Sequence, residues 1–391
     1  MTIHLFSSIE IIILTSILYL YFLAIFSILS KRQRRVKFEP LHRFGIIVPA
    51  HNEEKVIAKT LHSLKDMDYP HGLYEIIVIA DDCTDNTAKI VREMGMCCME
   101  RFDNSKRGKG YALQWAFRNI KLAKYDAFVV IDADTVVMAD FLKIMNNRLC
   151  NGDKVIQGYY DVLNPERSPS ASLSYLGFAL SRNLRYAGRT SLGWTTNLLG
   201  NGMCFSRDVI ERFGWGGFSI VEDIEYEMFL LLCGIRVAFA SDAKIYAEIP
   251  ETFAESRIQR SRWDIGKFQI LRRFFLKLLI KGVKEKDMAY FDALMELLIP
   301  PYALFLILTI FFFLMFMATN YNGIDIHFYI WAIIFLALFL YTLAGLIMAR
   351  ASRHVYINLI YAPLFILWRT FIVIHGFFGK GRIEWIKTER S

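Results

Sequence analysis

The chain has 391 residues, of which 54% are hydrophobic and only 21% charged, with a formal net charge of +8. That is too apolar for an ordinary water-soluble protein of this length, and it directs attention to long apolar runs. The six cysteines include no C-x-x-C pair, since Cys97 and Cys98 are adjacent, so neither a disulfide framework nor a cysteine metal site is indicated.

In chain order, 11–29 is almost wholly apolar and about as long as the ~20 residues a bilayer requires. Its basic cluster follows it rather than preceding it, and no small-residue cleavage site is evident. An uncleaved anchor is therefore expected in place of a signal peptide. Segments 297–318 and 328–349 are two further spans. Residues 1–10 contain no Lys or Arg, "KRQRRVK" at 31–37 contains five, and the loop "TNYNGIDIH" at 319–327 contains none. Basic residues favour the cytoplasmic side. The expectation is a multi-pass protein of the plasma or inner membrane, with the N-terminus and the 319–327 loop outside and residues 31 to about 296 in the cytoplasm. Segment 355–378 is basic at both ends and is read as a helix lying in the interface. The +8 charge sits near the membrane, and no nucleic-acid partner is called for. Residues 267–281, "KFQILRRFFLKLLIK", repeat Arg273, Lys277 and Lys281 every four positions against Phe and Leu. This is the pattern of a basic amphipathic helix facing anionic lipid headgroups.

Between 44 and 248, short apolar runs ("GIIVPA", "YEIIVIA", "AFVVIDAD", "KVIQGYY") alternate with stretches of helical spacing. This predicts parallel β-α-β units in a doubly wound α/β sheet, with a ligand at the carboxyl ends of the strands. Three such ends carry polar clusters: "PAHNEE" (49–54), "DDCTDNT" (81–87) and "DADT" (132–135). No glycine-rich dinucleotide or P-loop motif stands at a strand end. Converging carboxylates repel one another, and a divalent cation resolves this. Asp132 and Asp134, two apart in an extended segment, point the same way and can face one Mg²⁺ or Mn²⁺ ion together with phosphate oxygens. Helix or turn capping is the plainer reading of this pair. "GNGMCF" at 200–205 reads either as a simple turn into a strand or as a close approach of backbone to ligand. In "QRSRW" at 259–263, Gln259, Arg262 and Trp263 share one helix face; without its context this is a surface helix with a half-buried Trp.

Taken in order, "PAHNEE", "DDCTDNT", "DAD", "VEDIEYE" and "QRSRW" resemble the membrane-embedded family 2 glycosyltransferases, the group of cellulose, hyaluronan and poly-N-acetylglucosamine synthases. The resemblance covers roughly residues 44–296. It implies a GT-A type nucleotide-sugar-binding domain inserted between transmembrane helices, and an inverting, metal-dependent hexosyltransferase that extends a β-linked polysaccharide. By the same resemblance Pro49, Asn52, Glu53, Asp82, Lys109, Asp132, Ala133, Gln259 and Arg262 lie on the side of the donor, a UDP-sugar such as UDP-GlcNAc or UDP-glucose. Asp134 and Asp132 hold Mg²⁺ or Mn²⁺. Asp223, beside Glu222, is the general base. Trp263 and the Gly200–Asn201–Gly202 loop meet the acceptor. Cys83 and Val221 depart from the commoner Gly and Thr of the group without removing a charge.

The implied organisation is an anchor with a basic flank (1–37), a catalytic domain (38–266), interface helices (267–296), two spans (297–349), and an interfacial helix with a basic tail (350–391). Trp385 and Arg390 of the tail pack either on the active site or on headgroups. The expected partners are a nucleotide-sugar donor, a polysaccharide or lipid-linked acceptor, membrane lipids and accessory membrane subunits. Transfer of one sugar to a lipid-linked or short acceptor is an alternative. A catalytically silent nucleotide-binding scaffold is a third reading, disfavoured because Asp82, Asp132, Asp134 and Asp223 are all present.

Overall fold

A computed structural model describes residues 2–30, 37–249, 253–319 and 326–368. Strands β1 (Phe44–Ala50), β2 (Tyr74–Asp81), β3 (Cys97–Arg101), β4 (Ala127–Val130), β5 (Thr135–Val137), β6 (Val155–Val162), β7 (Met203–Ser206) and β8 (Val237–Ala247) form one sheet. Their order is β3-β2-β1-β4-β7-β6-β8-β5. In β1, Ile46 and Val48 enter one apolar core and Ile47 enters the other, so both faces of the sheet are covered. This is the α/β, GT-A-like architecture that the motifs imply.

The sheet is not parallel throughout. β3-β2-β1-β4 are parallel, but β7 runs antiparallel to both β4 and β6. The 200–202 loop is the reason. It lies at the carboxyl end of β4 and against the middle of β6, where Gly202 N–H donates to the Val130 carbonyl (2.9 Å) and Gly158 N–H to the Gly202 carbonyl (2.8 Å). The chain therefore enters β7 from the ligand end of the sheet. Asp132 and Asp134 also differ from the extended geometry expected. Thr135 N–H donates to the Asp132 carbonyl (3.2 Å), so the pair spans a turn after β4.

Among the described residues, three helices are long and apolar enough to cross a membrane: Ser7–Leu29, Tyr302–Thr319 and Ile326–Met348. The second starts later than the sequence reading, because 297–298 close the preceding helix (Met288–Leu298) and the Pro300–Pro301 pair follows. Of the basic row of 267–281, Arg273 and Lys281 reach acceptors on the protein, while Lys277 is exposed. Within helix Phe253–Glu285, the Lys267 ammonium donates to the Ile299 carbonyl (2.7 Å), Arg273 pairs with Glu225, and Lys281 donates to the Leu232 carbonyl. Part of this basic face is thus used within the protein, and burial pushes the Lys267 pKa down to about 8. Of segment 355–378, the described part is helical through 368, with a 3₁₀ turn at Leu359–Tyr361. The tail with Trp385 and Arg390, "KRQRRVK" up to 36, and most of the 319–327 loop lie outside the described residues.

The α/β domain is fastened to the flanking helices by buried charge. Arg189, 1% exposed, meets Asp292 (3.1 Å) and Glu296, and Tyr19 on the first span donates to Asp292 (2.6 Å). Burial opposes ionisation of Glu296, but Arg185, Arg189 and Lys267 hold its carboxyl at about 2. Arg189→Met strands the buried Asp292 carboxylate without a cation, while Glu296 keeps Arg185 (2.8 Å), and the expected destabilisation is about 3–5 kcal/mol. Thermal unfolding in detergent measures it; an unchanged midpoint contradicts the assignment.

Candidate active site

The first two strand-end loops are stitched together. Asn52, at φ +56°, accepts at its side-chain carbonyl from Thr84 N–H (2.7 Å), and Glu53 N–H donates to the Thr87 hydroxyl (2.8 Å). The two aspartates that end β2 then diverge. Asp81 is buried and paired with Arg101. Asp82, at φ +47°, accepts from Asp103 N–H through Oδ1 (3.0 Å), while its Oδ2 is buried without a partner among the described residues. An unmet buried acceptor at a strand end suits a ligand N–H donor.

At the next strand end, the Lys109 ammonium, on the first residue of helix Lys109–Asn119, pairs with Asp132 and donates to the Gly200 carbonyl (2.6 Å). Burial works against its charge, yet Asp132, Glu222 and Asp223 together raise its pKa. Gly200 sits at φ +76°, and a Cβ there would lie 3.3 Å from Asp223 Oδ2 and 3.6 Å from Lys109 Nζ. Glycine is thus required both by the backbone and by the charged groups around it.

The other two residues of this loop were expected to line the acceptor pocket, and they do structural work instead. Asn201 is fully buried; its side chain accepts from Asp132 N–H (3.1 Å) and donates to the Thr135 hydroxyl (2.7 Å). Gly202 packs where a Cβ would meet Ile245 Cδ1 at 2.6 Å. Ala133 is likewise buried, with its carbonyl accepting from Thr60 (2.7 Å), and Pro49 lies within β1, opposite Ile79. Neither side chain presents a polar group to a donor.

Glu222 and Asp223 open helix Glu222–Leu232. Burial, reinforced by the Glu222 charge, pushes the Asp223 carboxyl up to about 7. Arg262 faces this pair; burial lowers its pKa against the pull of Glu222 and Asp223, and its Nε is buried without a partner among the described residues. Trp263 is 41% exposed and lies edge-on to Phe178, with ring centroids 6.1 Å apart. Asp223, Gln259 and Trp263 share the wall of a cavity of about 330 Å³.

One residue escaped sequence reasoning. Glu225, 4% exposed, accepts from Phe218 N–H (2.8 Å) and Ser219 N–H (2.7 Å) and pairs with Arg273. It ties the loop before Glu222 to the helix carrying Arg262. The third acidic residue in "VEDIE" was its only signal.

Asp134 and Asp132 offer oxygen ligands, and among the described residues no three His, Cys, Asp or Glu side chains form a self-sufficient metal site. This donor set fits a hard cation whose remaining ligands come from a bound diphosphate and water.

A family model described as Glycosyltransferase like family 2 matches residues 42–266. A probable glycosyltransferase of Bacillus subtilis (strain 168), YdaM, is 27% identical over 275 residues, covering 66% of this chain and 63% of that protein. A poly-beta-1,6-N-acetyl-D-glucosamine synthase of Staphylococcus aureus (strain COL) is 26% identical over 267 residues, covering 66% of this chain and 62% of that one. The chain spans about three fifths of the length of the curated relatives it matches. A solved mannosyltransferase from Pyrobaculum calidifontis, in complex with GDP-Man and Mn²⁺, superposes with a TM-score of 0.54 at 18% identity, over 96% of this chain and 100% of that one. At that identity the likeness is one of fold.

Proposed function

The chain belongs to glycosyltransferase-like family 2, and we propose that it transfers a sugar from a nucleotide-sugar donor, with inversion, to the end of a β-linked chain at the cytoplasmic face of a membrane. The observation that carries this is the convergence of Lys109 and Asp223 at Gly200, with Asp132 paired to Lys109 and Arg262 acting on Asp223, beside a cavity lined by Asp223 and Trp263. The acceptor hydroxyl oxygen attacks the anomeric carbon, its proton passes to the Asp223 carboxylate, and the bond to the diphosphate breaks. Arg262 and Lys109 offset the charge that develops on the leaving diphosphate. A divalent cation held by Asp134 and Asp132 supplies further neutralisation of that charge when bound. Asp82 takes the base and Glu53 the nucleoside side, which accords with the unmet Oδ2 of Asp82. A UDP-sugar donor accords with the named synthase relative.

Transfer of a single sugar to a lipid-linked acceptor is the second reading. It is favoured by the far wall of the cavity, where Tyr302 and Leu306 begin a helix of spanning length. Topology rests on the Lys/Arg asymmetry. A reporter fused after Ser30 is expected to report the cytoplasm, and an external signal there would reverse the orientation.

The base assignment has a pH signature. Asp223 must be ionised to accept a proton, and its raised pKa means that the active form is lost as pH falls through about 7. The acidic limb of kcat/KM is expected there. Glu222→Gln removes a charge that raises the Asp223 pKa, so the limb is expected to move to lower pH. A limb that stays in place, or moves up, contradicts the coupling. Trp263→Ala is expected to keep nucleoside diphosphate release but to shorten the product, since the ring is the exposed apolar surface at the cavity. Loss of donor turnover with unchanged product length would place Trp263 on the donor side.

A further inference from the structure

The helices that carry Asp223 and Arg262 meet at a glycine. Gly266 is buried in the interior of helix Phe253–Glu285, four residues after Arg262 and three after Trp263, so it shares their face. A glycine there weakens the helix. Its neighbour accounts for it: a Cβ at 266 would lie 2.5 and 2.7 Å from the two γ-carbons of Val221 and 3.2 Å from the Val221 Cβ. Val221 is 3% exposed, and its stiff, branched side chain cannot swing both γ-carbons away. It also opens helix Glu222–Leu232, its carbonyl accepting from Glu225 N–H (3.1 Å). Asp223 stands two residues further on. Whatever moves Val221 therefore moves the proposed base.

The rest of this interface decides how added bulk is relieved. From Ile270 through Phe274 to Leu278, the long helix is buried together with Met228 and Leu231. Arg273 pairs with Glu225. The two helices are thus fastened on one side of Gly266, and a methyl group at 266 spreads them on the other, where Arg262, Trp263 and Asp223 stand. A second close approach lies between Asp223 and Lys109. A Cβ on Gly217 would overlap the Glu222 carbonyl. The Gly217 carbonyl, which accepts from Trp215 Nε1 (2.8 Å), in turn occupies the place of a Cβ on Gly110, the residue after Lys109. The helix of Lys109, this loop and the start of the Asp223 helix therefore touch backbone to backbone.

We propose that Gly266 and Gly217 are positioning residues for the transfer step: Gly266 sets the separation of Asp223 from Arg262 and Trp263, and Gly217 sets that of Asp223 from Lys109. Both contacts are already as close as backbone and a branched side chain permit, so any larger residue widens the spacing. Proton removal from the acceptor and departure of the diphosphate happen at one anomeric centre, and a displacement of about 1 Å there costs roughly 10²-fold in rate. The inference rests on the glycosyl-transfer reading above.

The test uses the full chain in nanodiscs, with whichever of UDP-GlcNAc, UDP-glucose and GDP-mannose wild type turns over. Calorimetric titration with the matching nucleoside diphosphate counts binding-competent sites, and kcat is expressed per such site, so that lost folded protein does not register as lost catalysis. Gly266→Ala is expected to lower kcat for sugar transfer by ~10²-fold, with donor KM changed far less. Val221→Ala removes both γ-carbons, so Gly266→Ala/Val221→Ala is expected to recover most of the loss. Gly266→Ala/Val221→Thr, which keeps both branches, is expected not to. Gly217→Ala is expected to lower kcat likewise and to resist rescue by Val221→Ala, because it meets a backbone carbonyl. Wild-type kcat in either glycine variant, a Gly266→Ala loss that Val221→Ala leaves unrestored, or a loss that vanishes when kcat is expressed per binding site overturns the positioning role. Should Gly266→Ala bind no nucleotide, the double variant decides: restored transfer supports the contact, and absent transfer overturns it. Wild type that turns over no nucleotide-sugar strikes the glycosyl-transfer reading itself, and the positioning role with it.

Discussion

Asp223→Asn is expected to lower sugar transfer by ~10²–10⁴-fold, the usual contribution of a general base, while donor binding persists. The reason is geometric. Asp223 stands beside Gly200 and lines the cavity with Trp263, whereas the buried Oδ2 of Asp82 stands at a different strand end. Glu222 adjoins Asp223, but it does not line the cavity that Asp223 shares with Trp263, so it is a poor replacement. Calorimetric titration with the nucleoside diphosphate separates the two roles. Retained binding with lost transfer supports the assignment; joint loss would move Asp223 to the donor site.

The second large effect concerns the cation. Asp132 is engaged by Lys109 and Asp134 follows it across a turn, so without a divalent ion the donor diphosphate would meet two carboxylates with one ammonium between them. Repulsion between such groups at close range costs several kcal/mol at reduced dielectric. Asp134→Ala is expected to lower transfer by at least ~10²-fold, and EDTA is expected to do the same to wild type, with recovery on adding Mg²⁺ or Mn²⁺. Full transfer in EDTA would remove the metal assignment. Lys109→Met is a milder companion: donor affinity is expected to fall while the metal requirement stays.

Much of this was legible in the sequence because strand-end chemistry is local. A run such as "VVIDADT" announces both a strand and the carboxylates at its end, and neither depends on distant partners. What escaped depends on partners far along the chain. The four residues of β7 are too few to show a period, and their direction follows from the Gly200–Gly202 turn between β4 and β6. Arg273 and Lys281 recur at the same spacing whether they face headgroups or, as here, Glu225 and the Leu232 carbonyl. Asn201 has a side chain apt for a sugar hydroxyl, yet it is occupied by Asp132 and Thr135. Residue type did not reveal that occupation.

The central claim is that the cluster around Gly200 moves a sugar from a nucleotide carrier to an acceptor. The most direct measurement is a donor screen on membranes holding the full chain, with UDP-GlcNAc, UDP-glucose and GDP-mannose, reading nucleoside diphosphate release and product length together, for wild type and Asp223→Asn. One donor is expected to be turned over with a divalent-ion requirement, with a sugar-containing product that disappears in Asp223→Asn. Turnover of no donor, or turnover and product unchanged in Asp223→Asn, would contradict the account.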